Sequence, residues 1–209
     1  NDWTDCWRRF AGGHDPLERL RKLREVFFAD AASLGQQRLA LTRQSDVDAR
    51  EPYPENSRWV HEGVLFVTLN VPGSYNNFAR DREEFKARDE AVRKWIGESF
   101  RIARTEGLPA VVLVMQANPW AVTGPLRAGY APLLKTLASE TLRFRGEVVL
   151  IHGDTHRFRV DRPLIDPGTR RPIRNLLRIE VFGSPSVNWV RVRVEEADGR
   201  VSFVATPGS

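Results

Sequence analysis

Ala110-Val111-Val112-Leu113-Val114-Met115 is the longest unbroken apolar run in the chain, and six β-branched or aliphatic residues between Gly107-Leu108-Pro109 and a polar exit predict a strand buried on both faces. Two runs of the same kind flank it: Val64-Leu65-Phe66-Val67 with Leu69 on one side, and Val148-Val149-Leu150-Ile151 on the other. Between the first two lies a charged stretch, residues 80–106, in which Phe85, Val92, Trp95, Ile96, Ser99, Phe100 and Ala103 recur at helical spacing and draw one apolar face. A second helix is predicted over residues 130–144, after a loop rich in Pro and Gly. Strand, helix, strand, helix, strand is the pattern of a parallel sheet with right-handed crossovers.

Outward from this βαβαβ core the signals are shorter. Asp15-Pro16 supplies an N-cap and a first-turn proline ahead of Leu17, Leu20, Leu23 and Phe27, which predicts a short amphipathic helix. Residues 34–59, polar and interrupted by Pro52 and Pro54, read as a loop or a pair of weak strands. Beyond Asp166-Pro167-Gly168 the runs at 177–182, 189–194 and 201–204 alternate apolar with polar residues, and predict antiparallel strands whose wet face carries Arg191 and Arg193. The whole reads as one α/β domain over residues 1–209.

Composition narrows the function classes. With 41% hydrophobic and 28% charged residues, the 209-residue chain has enough apolar material for a packed core, and no apolar run approaches the roughly 20 residues of a membrane-crossing helix. A single cysteine, Cys6, excludes an internal disulfide framework and a thiolate metal cluster. Against 27 acids stand 32 basic residues, a net charge of +5, but stretches such as Arg80-Asp81-Arg82-Glu83-Glu84 interleave the signs and read as solvated surface, which argues against a nucleic-acid partner.

Chemistry is expected where the parallel strands end, because ligands of open α/β sheets gather beyond the carboxyl ends of the strands. All three exits are polar: Asn70 followed by Gly73-Ser74-Tyr75-Asn76-Asn77, then Gln116-Ala117-Asn118-Pro119, then His152-Gly153-Asp154-Thr155-His156. Amide oxygens, a carboxylate and imidazole nitrogens are groups that coordinate divalent metals or position a phosphate. The third exit holds two of the four histidines in the chain. Other templates are absent: His61-Glu62 lacks the second histidine of a zinc-protease helix, no glycine-rich nucleotide cradle is present, and Gly183-Ser184-Pro185 is not a nucleophile elbow.

Those exits carry a family resemblance. The segment from Val111 to Pro119 resembles the strand and His-x-Pro segment of calcineurin-like metallophosphoesterases. Val148 to His156 resembles their strand and Gly-His-x-His segment, and Asn1-Asp2-Trp3-Thr4-Asp5 resembles the end of their Gly-Asn-His-Glu/Asp motif. The resemblance implies a metallophosphoesterase-like β-sandwich flanked by helices, with two divalent ions (Mn, Fe or Zn) and a phosphoester substrate cleaved by metal-activated water. It implies that His156, Asp154 and Gln116 are metal ligands, the last two standing where the family has histidine. It further implies that Asn1 and Asp2 are catalytic, positioning phosphate, and that Asn76, Asn77, Asn118 and His152 bind substrate. The family's Asp-x-His and Gly-Asp motifs would precede Asn1, so the chain is expected to be the C-terminal part of such a domain. The replacements at ligand positions leave a second expectation, a phosphoesterase-like fold kept as a binding or scaffolding module.

Overall fold

A computed structural model describes residues 3–208. Its elements in chain order are α1 (Pro16–Phe27), β1 (Thr42–Arg43), the single turn α2 (Gln44–Val47), β2 (Ser57–His61), β3 (Val64–Thr68), the single turn α3 (Gly73–Asn76), α4 (Arg82–Thr105), β4 (Ala110–Val114), α5 (Ala131–Arg143), β5 (Glu147–His152), β6 (Arg159–Asp161), β7 (Leu176–Glu180), β8 (Trp189–Ala197) and β9 (Arg200–Gly208). Seven strands form one sheet in the order β1-β2-β3-β4-β5-β7-β6, and β8 pairs with β9 in a separate hairpin.

The predicted parallel core is present: β3 pairs parallel with β4, and β4 with β5. The period-2 alternation of a strand divides its side chains between two layers. Leu65, Val67, Val111, Leu113, Val148 and Leu150 face Val92, Trp95, Ile96 and Phe100 of α4 and Leu133 and Leu137 of α5. On the other face Val64, Ala110, Val112 and Val149 meet Val190, Val192, Val201 and Phe203 of the hairpin. Burial of each such side chain contributes about 1.5–3 kcal/mol against chain entropy, so the sheet is held mainly by being covered on both faces. Fully buried Trp95 is capped by the Arg58 guanidinium, 3.9 Å from its ring.

Local signals explain the helix ends. Asp15 Oδ1 accepts the Glu18 amide at 2.8 Å, and Asp81 Oδ1 accepts the Glu84 amide at 3.0 Å, each satisfying a first-turn N–H. Helix α4 stops where Gly107 takes φ +64° and the Leu108 amide turns back to the Ala103 carbonyl. In the hairpin, Asp198 and Gly199 both have positive φ, the requirement of a two-residue type I′ turn, and Arg191 and Arg193 lie on its exposed face as expected. The 34–59 stretch resolves into two short strands, β1 and β2, paired antiparallel.

One expectation is corrected. The 177–182 run was expected to be antiparallel and half wet, but β7 pairs parallel with β5 and all five of its residues are buried. The polar residues that imitated a wet face, Arg178 and Glu180, are themselves buried and partnered: Arg178 forms an ion pair with Asp161 of β6, and Glu180 accepts the Thr155 hydroxyl. Only β6, which flanks β7 at the sheet's edge, runs antiparallel to it. Helices on one face and a two-stranded hairpin on the other make this a mixed α/β fold.

Candidate functional site

The four parallel strands end at the same edge, and their exits stay laterally bonded past the last strand residue. The Leu69 amide donates to the Val114 carbonyl (2.9 Å), Ala117 to Val71 (3.1 Å), Gly153 to Gln116 (3.1 Å) and Val181 to His152 (2.9 Å). This rigid edge brings the second and third exits into direct contact. The Asn118 amide donates to Asp154 Oδ2 at 2.9 Å, and Asn118 Nδ2 donates to Thr155 Oγ1 at 3.1 Å. Thr155 in turn donates its hydroxyl proton to Glu180, which is wholly buried on β7. The ends of β4, β5 and β7 are thus tied through one threonine.

The loop so held is a strained one. Asp154 and His156 have φ of +81° and +60°, in the left-handed region that non-glycine residues adopt at a cost. His156 is exposed, and its Nδ1 lies 2.7 Å from the Ser184 carbonyl, a bond that makes Nδ1 the donor and leaves the Nε2 lone pair free. Gly183 makes the room: a Cβ there would sit 2.5 Å from His156 Cδ2. Gln116 Oε1 is buried with no partner among the described residues.

His152 is 1% exposed and packs with its ring centroid 6.1 Å from that of Trp120. Its Nδ1 is 2.9 Å from the Gly153 carbonyl, so the proton sits on Nδ1 and the acceptor Nε2 is buried without a partner among the described residues. Burial lowers its pKa below the ordinary histidine value, outweighing the opposing pull of the Gly153 carbonyl and the Glu180 charge. A histidine with a depressed folded pKa is neutral in the fold but protonates freely when unfolded, so its contribution is complete above about pH 6.5 and is lost as pH falls below it. Stability measured by urea denaturation is expected to decline below about pH 6.5, and the decline to flatten in His152→Gln; an unchanged pH profile in that variant would refute the assignment.

The first exit is built differently. Residues Ser74, Tyr75, Asn76 and Asn77 have consecutive φ of 49°, 60°, 59° and 58°, so α3 is a left-handed turn. Each such residue costs about 1–2 kcal/mol, and the turn survives through its partners. Asn76 Nδ2 donates to the Gly129 carbonyl (2.8 Å), its amide to the Tyr130 hydroxyl (3.0 Å), and Arg88 donates to both its Oδ1 (2.6 Å) and its carbonyl (3.0 Å). Asn77 Nδ2 donates to Glu84 at 2.8 Å. Asn76 and Asn77 are buried and bonded within this network, where their side chains serve the turn. Trp3 Nε1 donates to Asn70 Oδ1 at 3.2 Å, which sets the Trp3–Asp5 segment against the same exit; Asn1 and Asp2 lie outside the described residues.

Three side chains at this edge carry donor atoms of the kind a divalent cation takes. Gln116 offers an orphaned buried amide oxygen, Asp154 has one carboxylate oxygen beyond the Asn118 bond, and His156 has a free nitrogen oriented by its backbone bond, as metal-bound histidines are. Among the described residues no group of three or more His, Cys, Asp or Glu side chains comes together as a metal site. Arg88, Thr155 and Glu180 were not among the sequence candidates. Local sequence does not single them out: Arg88 lies in a charged helical stretch, Thr155 in a polar loop, and Glu180 in an alternation that reads as a wet strand. No protein-family model, curated protein or solved structure matches the chain.

Proposed function

We propose that the protein is a metal-dependent phosphoesterase of the calcineurin-like type, its site lying at the carboxyl edge of the parallel strands. The observation that carries the reading is the Asn118 amide bonded to Asp154, which joins two exits that resemble the family's ligand segments. In this reading Gln116, Asp154 and His156 hold a divalent ion, and Asn118 and His152 line the approach to it. The ion, when bound, would supply a nucleophilic hydroxide at neutral pH and charge stabilisation on the phosphoryl oxygens.

The chain's own residues do the rest. The Ser184 carbonyl fixes the His156 ring and leaves the Nε2 lone pair unshared, and the Asn118 amide fixes the Asp154 carboxylate. His152, kept neutral by burial, adds no positive charge that would repel a cation. The test uses full-length protein with Mn, Fe or Zn and bis-p-nitrophenyl phosphate. Metal-dependent turnover is expected, and His156→Ala is expected to lower it by more than the roughly 100-fold that loss of an outer partner costs, with the melting temperature unchanged. Turnover that ignores the metal or survives His156→Ala would overturn the proposal, and no turnover with any of the three metals would leave the binding-module reading in its place.

A further inference from the structure

The net charge of the protein is concentrated in one segment. Residues 157–178 contain seven arginines and two aspartates, a net charge of +5 that equals the net charge of the entire chain, so the rest is balanced. Arg157, Arg159, Arg162, Arg170, Arg171 and Arg174 of this segment are exposed. Strand β6 carries the segment from the site edge down the side of the sheet to the opposite edge, where the parallel strands begin. There Asn175 Nδ2 donates to the carbonyls of Thr141 (3.2 Å), Phe144 (3.0 Å) and Gly146 (3.0 Å), and the Arg162 charge acts on Glu147.

That edge holds a cavity of about 760 Å³. Its lining includes Arg104, Arg143, Arg145 and Arg200 against one acid, Glu147, and apolar side chains from Leu108, Phe144 and Val201. Two of the arginines have a structural explanation: Arg104 and Arg143 sit in the last turns of α4 and α5, where a cation suits the helix dipole, and both bond Glu140, at 2.8 and 3.4 Å. Arg145 and Arg200 have none. Both are exposed and make no ion pair among the described residues, yet they line the same hollow.

Guanidinium groups that outnumber the acids of a cavity, two of them without an ion pair, are complementary to an anion with several oxygens, and their planar forks match phosphate. The volume is that of a small-molecule pocket, and the apolar lining suits a ligand with some non-polar surface. We propose that this cavity binds a small molecule carrying several phosphate groups, with Arg145 and Arg200 as its principal contacts. The site is at the opposite edge of the sheet from the strand exits and stands whether or not the protein is a phosphoesterase.

Tripolyphosphate is the probe, titrated calorimetrically into the protein at about 50 mM and about 200 mM salt, with binding expected to weaken as salt rises. The double variant Arg145→Gln/Arg200→Gln is expected to lose at least about tenfold in affinity, the equivalent of one charge-assisted hydrogen bond. Arg191→Gln/Arg193→Gln, on the exposed face of the hairpin, removes the same charge elsewhere and is expected to leave the affinity unchanged. Equal losses in the two double variants would show a diffuse charge effect and overturn the site. So would sulfate binding as tightly as tripolyphosphate, or no binding of tripolyphosphate at low salt.

Discussion

Replacing Arg88 with methionine is expected to destabilise the protein by about 3–5 kcal/mol, the cost of removing one member of a buried ion pair. Arg88 is fully buried on α4, and its guanidinium makes five hydrogen bonds. Two go to Glu84, one to the Asn70 carbonyl at 3.1 Å, and two to Asn76. Without it the Glu84 carboxylate loses its counter-charge, and the left-handed turn at 74–77 loses two of the bonds that offset its backbone cost. Methionine keeps much of the volume, so the loss reports the polar network and not a cavity. Lysine, with one compact ammonium in place of a five-donor fork, is expected to recover only part of it. Urea denaturation measures both; a change below about 1 kcal/mol for Arg88→Met would mean that the turn is held by its other partners.

The second large effect is expected at Glu180. Glu180→Ala removes a wholly buried carboxylate that accepts the Thr155 hydroxyl and faces exposed Arg159 at 3.8 Å, and should destabilise by up to about 3 kcal/mol, the cost of losing a hydrogen bond to a charged acceptor and leaving its donor unpaired. Glu180→Gln keeps an acceptor for Thr155 and should cost less, about 1–2 kcal/mol. The two variants separate charge from hydrogen bonding. The effect is also expected to be local: in Glu180→Ala, amide exchange should rise at residues 153–156, because the Thr155 anchor opposes the strain at Asp154 and His156. Unchanged exchange there, with stability lost, would assign Glu180 to the packing of β7 alone.

Legibility in the sequence followed the range of the interactions. Val111-Val112-Leu113 and Phe85 with Val92, Trp95 and Ile96 reveal their strand and helix locally, because a buried strand or an amphipathic helix is written in residues a few positions apart. The hairpin turn at Asp198-Gly199 and the caps at Asp15 and Asp81 are local as well. By contrast, nothing near Arg178 in sequence says that its carboxylate partner is Asp161, and the alternation Leu177-Arg178-Ile179-Glu180 looks the same for a wet strand and for one whose charges are paired inside. The polar exits were legible as a group, yet the division of labour among them was not: Asn76 and Asn77 serve a turn held from α4, while Asn118 bridges to Asp154 and Thr155.

Taken by itself, the chain determined the core layers: the strands and helices of the βαβαβ unit, that β3, β4 and β5 run parallel, and which edge is polar. These follow from short-range periodicity and from the handedness of crossovers. Only the tertiary structure decided that β7 joins the sheet in parallel, that Glu180 reaches under the Gly153–His156 loop, and that the arginine-rich segment beginning at Arg157 runs beside β7 at the sheet's edge. A buried charge is tolerated only where a distant partner meets it, and that meeting exists only once the strands have chosen their neighbours.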